Sequence, residues 1–329
     1  MVKFLVIRFS SIGDIVLTTP LLRMLKTQVE DSEIHYLVKP AFHSILEANP
    51  YIHKIHSLSD NLNETVKHLR EENFDYVLDL QHNLRSLSVK RALKRMYFTV
   101  NKLNFKKWIL VNLKINRLPD IHIVDRYMET IKLFDIKNDK RGLDYFIPEN
   151  ERVSVTEFPP DFRKGYVVLV LGAKHQTKKM PLEKISEVLS LLDAPVILVG
   201  GKEDRPDGEK LIDGLKTKRL INGCGQWSVN GSASVIAQSL CVISHDTGMM
   251  HIAAAFKKKI ITIWGNTIPD FGMYAYAPDP ESRNFEVHGL KCRPCSKLGK
   301  NSCPKKHFRC MMDQDSQAIA SLANSFSDK

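Results

Sequence analysis

Asp14 follows Ser10, Ser11 and Gly13 in the stretch VIRFSSIGDIVLTTPLLRMLK, Val6 to Lys26, at the threshold of an amphipathic helix. A carboxylate there can cap free backbone N–H groups and do nothing else. It can equally be a general base that takes the proton of a substrate hydroxyl. A second constellation lies in VISHDTGMMHIAAAF, residues 242–256, where Asp246 and Thr247 precede Gly248 and His251 at a strand-to-helix turn. Free amides at a helix start attract an anion, and a glycine lets phosphates approach the backbone. Thr247 adds a hydroxyl donor, and His251, one turn on, can point back to the same place. Asp246 as a plain N-cap, with His251 packed inside, is the competing reading.

Two further turns carry complementary groups. LGAKHQTKKMP, residues 171–181, brings Lys174, His175, Thr177, Lys178 and Lys179 to a strand end, where a lysine can pair with a pyrophosphate. VGGKEDRP, residues 199–206, sets Gly200, Gly201, Glu203 and Asp204 after the next strand. A carboxylate there can accept from ribose hydroxyls, or simply open a surface helix. Neither half opens with G-x-G-x-x-G between its first strand and helix, and no G-x-x-x-x-G-K-[ST] occurs. Nicotinamide dehydrogenases and P-loop ATPases are thereby disfavoured.

The six cysteines are Cys224, Cys241, Cys292, Cys295, Cys303 and Cys310. Disulfides are not expected in a cytoplasmic chain. The last four can be reduced packed thiols or ligands of a structural zinc; Cys292 and Cys295 have ligand spacing, whereas Cys303 and Cys310 lack it.

The elements that must position these groups are legible as alternation. Strand-like runs occur at 2–9, 33–38, 54–58 and 75–80, with helical patterns at 14–28, 41–49, 61–72 and 84–95. After IPENERVSVTEFPPDFRKG, residues 147–165, alternation restarts with strands at 166–172, 195–200, 241–244 and 259–265. Helical patterns there cover 181–192, 204–215 and a segment from 248, and 314–326 looks like a closing helix. Such alternation predicts an α/β chain of two doubly wound parallel sheets facing across a cleft. The expected divisions are 1–155, 156–313 and a closing segment 314–329. Ligands of doubly wound sheets sit at the carboxyl ends of the strands, so Asp14 and Gln81-His82-Asn83 should share one edge.

With 43% hydrophobic and 26% charged residues, the chain has the balance of a soluble globular protein. No run of about eighteen apolar residues suggests a spanning helix, and MVKFLVIRF reads as a first strand, not a signal peptide. A cytoplasmic protein is expected. The net charge of +11 is uneven: between Asp79 and Asp120 there is no acidic residue, but ten lysines and arginines from Arg85 to Arg117. Interleaved with Tyr97, Phe98, Phe105 and Trp108, this block suits an anionic interface better than a nucleic-acid groove. A solvated basic face over a local core is the plainer alternative.

Taken in order, RFSSIGDIVLTTPLLRML, FDYVLDLQHNLRS, KKMP, VGGKED, DTGMMHIAAA and IWGNTIP resemble the bacterial ADP-heptose:lipopolysaccharide heptosyltransferases. These are inverting glycosyltransferases of family 9 with the GT-B fold, and the resemblance spans nearly the whole chain. It implies Asp14 as catalytic base, with Ser10, Ser11 and Gly13 shaping the cleft. Lys178, with Lys179 competing because Met180 replaces the family's tryptophan, would contact donor phosphate. Glu203 or Asp204 would hold the ribose, and Asp246, Thr247, Gly248 and His251 the pyrophosphate. Gln81, Asn83 and Arg85 would lie on the acceptor side.

The implied reaction moves heptose from ADP-heptose to an anionic glycolipid with no cofactor or metal. No Asp-x-Asp pair of the sort that holds a metal on a nucleotide sugar is expected in the chain, in keeping with a metal-independent reaction. The implied protein is a monomer at the inner face of the cytoplasmic membrane, held through residues 85–117, with no nucleic-acid partner. Transfer of another nucleotide hexose, or an inactive relative that only binds these ligands, are the alternatives.

Overall fold

Strand β1, Val2–Ile7, is four buried side chains long at its carboxyl end, and β2 (Ser32–Val38) and β4 (Tyr76–Asp79) are almost as apolar. Runs of this kind lack alternation because helices cover both faces of a parallel sheet. With β3 (Lys54–Ser57) and β5 (Met96–Thr99) they form one sheet in the order β3-β2-β1-β4-β5, every pair parallel. The winding reverses between β1 and β4. Ile7 lies opposite Leu37 on one side and Asp79 on the other, so the turns after β1 and β4 emerge side by side.

The helical pattern at 14–28 is two helices, Ile12–Val16 and Thr19–Gln28. Pro20 accounts for the break: it has no N–H for the Val16 carbonyl, and its ring crowds that group. Thr19 Oγ1 donates to Val16 O instead, and Thr18 Oγ1 to Ile15 O, both at 2.7 Å. The pattern at 41–49 is a short 3-10 helix, Pro40–Ile45. Buried Arg23 on the second helix donates to Asp139 and Asp144, tying down residues that return to this unit much later in the chain.

The second sheet contains β6 (Val167–Val170), β7 (Val196–Val199), β8 (Leu220–Asn222), β9 (Cys241–His245), β10 (Lys259–Trp264) and β11 (Arg283–Glu286). Its order is β11-β10-β9-β6-β7-β8, all parallel, with the reversal between β9 and β6. A continuous core runs from Val167 and Leu198 to Ile185, Ile319 and Ala323, so the closing helix Ser316–Ser325 packs against helix Leu182–Ser190. Each such fully buried aliphatic side chain contributes about 1.5–3 kcal/mol.

In this computed structural model, which describes residues 1–216 and 219–327, the chain forms two compact units. One is Met1–Leu103 with Ile121–Pro148; the other is Asn104–Asp120 with the chain from Glu149 onward. The expected α/β class with two doubly wound sheets is thus the observed one. Among the described residues no helix is long and apolar enough to cross a membrane.

Candidate active site

Asp14 lies in helix Ile12–Val16, directly after β1, at the place where the first sheet reverses. Its Oδ1 lies 2.6 Å from Arg8 Nη2, and its side chain is 20% exposed. Oδ2 accepts from Ser11 Oγ at 2.8 Å and from Ser11 N at 3.3 Å. Burial pushes the carboxyl's pKa up, but Arg8 and the Ser11 donors outweigh it, leaving the group below the ordinary carboxylate range. Asp14 therefore does receive a helix-start N–H, and it is also an ionised, partly open carboxylate. Oδ1, with Arg8 as its one partner, keeps a second lone pair for a substrate hydroxyl.

Arg8 is the clamp. Its Nη1 donates to Leu80 O at 2.8 Å and its Nε to Ser10 O at 2.9 Å, so one buried guanidinium joins the ends of β1 and β4 to Asp14. Gln81 accepts from Phe9 N at 2.9 Å and closes the same junction. Asp79, fully buried, takes N–H donors from Gln81 and His82, a hydroxyl from Ser86 and the ammonium of Lys90 at 2.9 Å. Asn83 Oδ1 caps helix Leu84–Leu93 by accepting from Ser86 N. Arg85 projects from its first turn, exposed. Ser11 thus bonds Asp14 directly, Ser10 and Gln81 bond its neighbours Arg8 and Phe9, and Gly13 precedes it in the chain, whereas the amide oxygen of Asn83 is committed to its helix.

In the second unit the reversal between β6 and β9 gathers the positive groups. Lys178 Nζ lies 2.5 Å from Asp246 Oδ2, which also accepts from Thr267 Oγ1 at 2.9 Å. Asp246 is therefore a partner for Lys178 and not the cap of the next helix. Helix Gly248–Ala255 has Thr247 as N-cap, and the Thr247 side chain does not bond its first amides. Such a start, next to an ammonium, is suited to an anion. Thr247 Oγ1 stands 3.3 Å from Ser244 Oγ, and His251 is buried in the first turns of the helix.

Lys179 pairs with a different acid. Its Nζ meets Asp204 Oδ1, while Asp204 Oδ2 accepts from Gly201 N at 2.8 Å. Asp204 is buried and Glu203, beside it in the turn Lys202–Asp204, is exposed. A cavity of about 780 Å³ opens here, walled by Leu171, Lys179, Met180, Asp204, Cys303 and Phe308.

Cys292, Cys295 and Cys303 are partly buried and Cys310 is buried. Cys292 Sγ lies 3.8 Å from His307 Nε2. The four thiols do not gather into a ligand-distance group; among the described residues only Glu33, His35, His53 and His35, His56, Glu72 do so. Burial pushes the Cys310 thiol up to about 12. One Asp-x-Asp pair does occur, outside the strand-end turns, and its acids are occupied. Asp313 accepts from Arg309 at 2.7 Å, and Asp315 caps helix Ser316–Ser325.

Three residues of these sites were not singled out from the sequence. Arg8 was visible as a lone cation in an apolar strand. Thr267 sits in IWGNTIP. His245 is buried at the end of β9, where its Nε2 accepts from Met180 N at 2.9 Å and pins the lysine-bearing loop. Burial drives its pKa down to about 4, so it is a neutral acceptor.

Comparison with known proteins bears on the family and the fold. The lipopolysaccharide heptosyltransferase 1 of Campylobacter coli is 26% identical over 294 residues, covering 80% of this chain and 84% of that protein. Two solved structures share the fold. The family 9 glycosyl transferase of Veillonella parvula has a TM-score of 0.79 at 18% identity, covering 99% of this chain and 97% of that one. The Escherichia coli ADP-heptose LPS heptosyltransferase II has a TM-score of 0.76 at 18% identity, with 99% and 98% covered. The sequence profile of glycosyltransferase family 9 (heptosyltransferase) matches residues 63–307, from helix Leu62–Glu71 through the whole second sheet. With most of its length inside that match, the chain belongs to glycosyltransferase family 9, the heptosyltransferases.

Proposed function

We propose that this protein transfers heptose from ADP-heptose to a hydroxyl of a lipopolysaccharide core acceptor, inverting the anomeric centre. The observation that carries the reading is Asp14, a carboxylate kept ionised yet one-fifth open at a sheet's switch point. The acceptor oxygen attacks the anomeric carbon and its proton passes to Asp14. The bond from that carbon to the diphosphate breaks, and ADP leaves with the electron pair.

Lys178, the Thr247 hydroxyl and the amides that open helix Gly248–Ala255 meet the charge that grows on the diphosphate. Preorganised donors of this kind are worth about 10²–10³ in rate each, and the scheme calls for no metal. Glu203 is assigned to the ribose, because Asp204 is buried against Lys179. The cavity beside that pair is assigned to the nucleoside. Acceptor binding falls to the first unit, around Gln81 and Arg85, and donor binding to the second. Donor and acceptor are those in the names of the relatives, which include lipopolysaccharide heptosyltransferases and an ADP-heptose enzyme.

The anionic acceptor is drawn by exposed cations. Arg85, Arg91, Lys94 and Arg95 flank exposed Leu84, Met96 and Tyr97 in the first unit. In the second, helix Asn104–Leu113 exposes Phe105 (74%) and Trp108 (55%) beside Lys106. Basic residues near an anionic leaflet contribute about 1 kcal/mol each. Lys90 and Lys107 do not take part: Lys90 is spent on buried Asp79, and Lys107 is buried over the Phe271 ring.

The test is transfer by the purified chain from a panel of nucleotide sugars to a glycolipid acceptor, with the product's anomeric configuration read by NMR. Inverted product from ADP-heptose is expected. Preference for another nucleotide hexose would overturn the donor, and a retained anomer would overturn direct displacement.

A further inference from the structure

Away from Asp14, on the outer half of the first sheet, four titratable side chains converge that transfer chemistry does not use. His35 on β2 is fully buried. Its Nε2 lies 2.7 Å from Glu33 Oε1 and its Nδ1 2.8 Å from His56 Nε2 on β3. Glu72, which ends helix Leu62–Glu71, places one carboxylate oxygen 3.9 Å from His35 Nδ1 and the other 3.9 Å from His56 Nε2. Ligands about 2.0–2.1 Å from a tetrahedral ion stand roughly 3.3–3.4 Å apart. The three observed separations, 2.8, 3.9 and 3.9 Å, straddle that value.

We propose that His35 Nδ1, His56 Nε2 and the Glu72 carboxylate form a binding site for a divalent transition-metal ion of the zinc class. Two imidazoles and a carboxylate suit such an ion, and water completes its shell. Glu33 holds His35 as the outer partner: by accepting the Nε2 proton it leaves the Nδ1 lone pair turned toward His56 and Glu72, the carboxylate–histidine–metal arrangement. His56 then needs only to move its proton from Nε2 to Nδ1, so no charge is lost from either ring. Metal ligands must be neutral imidazoles, and burial holds both rings below the usual histidine range, His56 at about 4.

Phe74 walls the site, edge-on to both rings, at 5.0 Å from His35 and 6.1 Å from His56. Lys54 Nζ now occupies the cation position on Glu72 at 2.5 Å, but its side chain is 54% exposed and can swing into water. His53 lies 3.5 Å from Glu33 and is 60% exposed, which makes it the weaker candidate ligand. A bound ion joins β2, β3 and the end of helix Leu62–Glu71, and so braces one edge of the sheet that carries Asp14.

The experiment titrates the metal-stripped full chain with Co²⁺ and then competes with Zn²⁺, following the visible d–d bands and the thermal midpoint. A background with Cys292, Cys295 and Cys303 changed to Ser removes the partly buried thiols that could also take the ion. One equivalent of Co²⁺, displaced by Zn²⁺ and unaffected by the Cys changes, is expected. His56→Gln and Glu72→Gln should each abolish the spectrum, and Glu33→Gln should weaken binding about 10–100-fold. If His56→Gln fails to fold, Glu72→Gln at the helix end decides alone. No Co²⁺ spectrum, a spectrum that survives Glu72→Gln, or one that vanishes in the Cys background overturns the site.

Discussion

The two switch points hold opposite charges in opposite ways. At the first, Asp14 is paired with Arg8 from six residues earlier in the same strand-turn unit, and the guanidinium is buried and bonded to two carbonyls as well. At the second, Lys178 and its partner Asp246 come from loops 68 residues apart, and both side chains keep some exposure. A base has to be ionised and aimed when the acceptor hydroxyl arrives, so a fixed partner suits it. An anion cradle has to exchange its resident carboxylate for a ligand's phosphates, so a pair assembled from two loops suits that. The same physics, charge beside opposite charge, serves retention in one unit and exchange in the other.

The comparison breaks most sharply at Asp14. Asp14→Asn keeps the shape and loses the proton acceptor, so kcat should fall by about 10²–10⁴ while donor Kd stays put. Steady-state kinetics with nucleotide titration by calorimetry check both, and full turnover in the Asn protein would remove the base.

Next come the two lysines. Lys178→Met should weaken the diphosphate contact and slow transfer by about 10²-fold or more, with binding of ADP reduced as well. Lys179→Met should act chiefly on thermal stability, because it strands buried Asp204 without its cation. Equal kinetic losses in the two variants would erase the distinction between cradle and brace.

Arg8 sharpens the retention side. An opposite charge this close lowers an Asp pKa by about 1–3 units, and in Arg8→Met burial would act on Asp14 against only the Ser11 donors and the more distant Lys102. A base works only when deprotonated, so activity is lost as pH falls through its pKa. In the native protein that acid limb lies below the ordinary carboxylate range, and in Arg8→Met it should move up by about 1–3 pH units. The same sign holds for stability: a depressed folded pKa contributes above the unfolded value and is lost as pH falls through the folded one. An unshifted kcat/KM profile would mean that Arg8 is only a strut.

The smallest effect is salt. Raising NaCl should weaken engagement of glycolipid vesicles more than donor binding, since exposed charges are screened within about 8–10 Å while the part-buried cradle is screened less. Equal salt slopes for the two dissociation constants would put the basic faces out of the account.

Much of this was legible in residues. Periodicity located β1, β2, β3, β4, β6, β7, β9 and β10, most of them because strands buried on both faces are unbroken apolar runs. It passed over β5 and β11, whose side chains are largely exposed, and the three-residue β8. Charge alone made residues 85–117 one block, yet the chain divides after Leu103, and residues 104–120 pack with the later unit. Lys114 donates to Pro294 O at 2.6 Å and Asn116 to Asp270 at 2.7 Å, contacts across more than 150 residues that no local pattern announces.

By itself the sequence determined the alternation of strand and helix, the strand ends where chemistry sits, and the residue types that meet there. Those follow from backbone geometry and burial, which act over a few neighbours. Only the tertiary structure decided which charges pair: Lys178 with Asp246 and not Asp204, Lys90 with Asp79 and not solvent, His35 with His56 across two strands. Pairing depends on distances of a few ångströms between residues far apart in the chain, and these exist only once sheet order and register have brought the strand ends together.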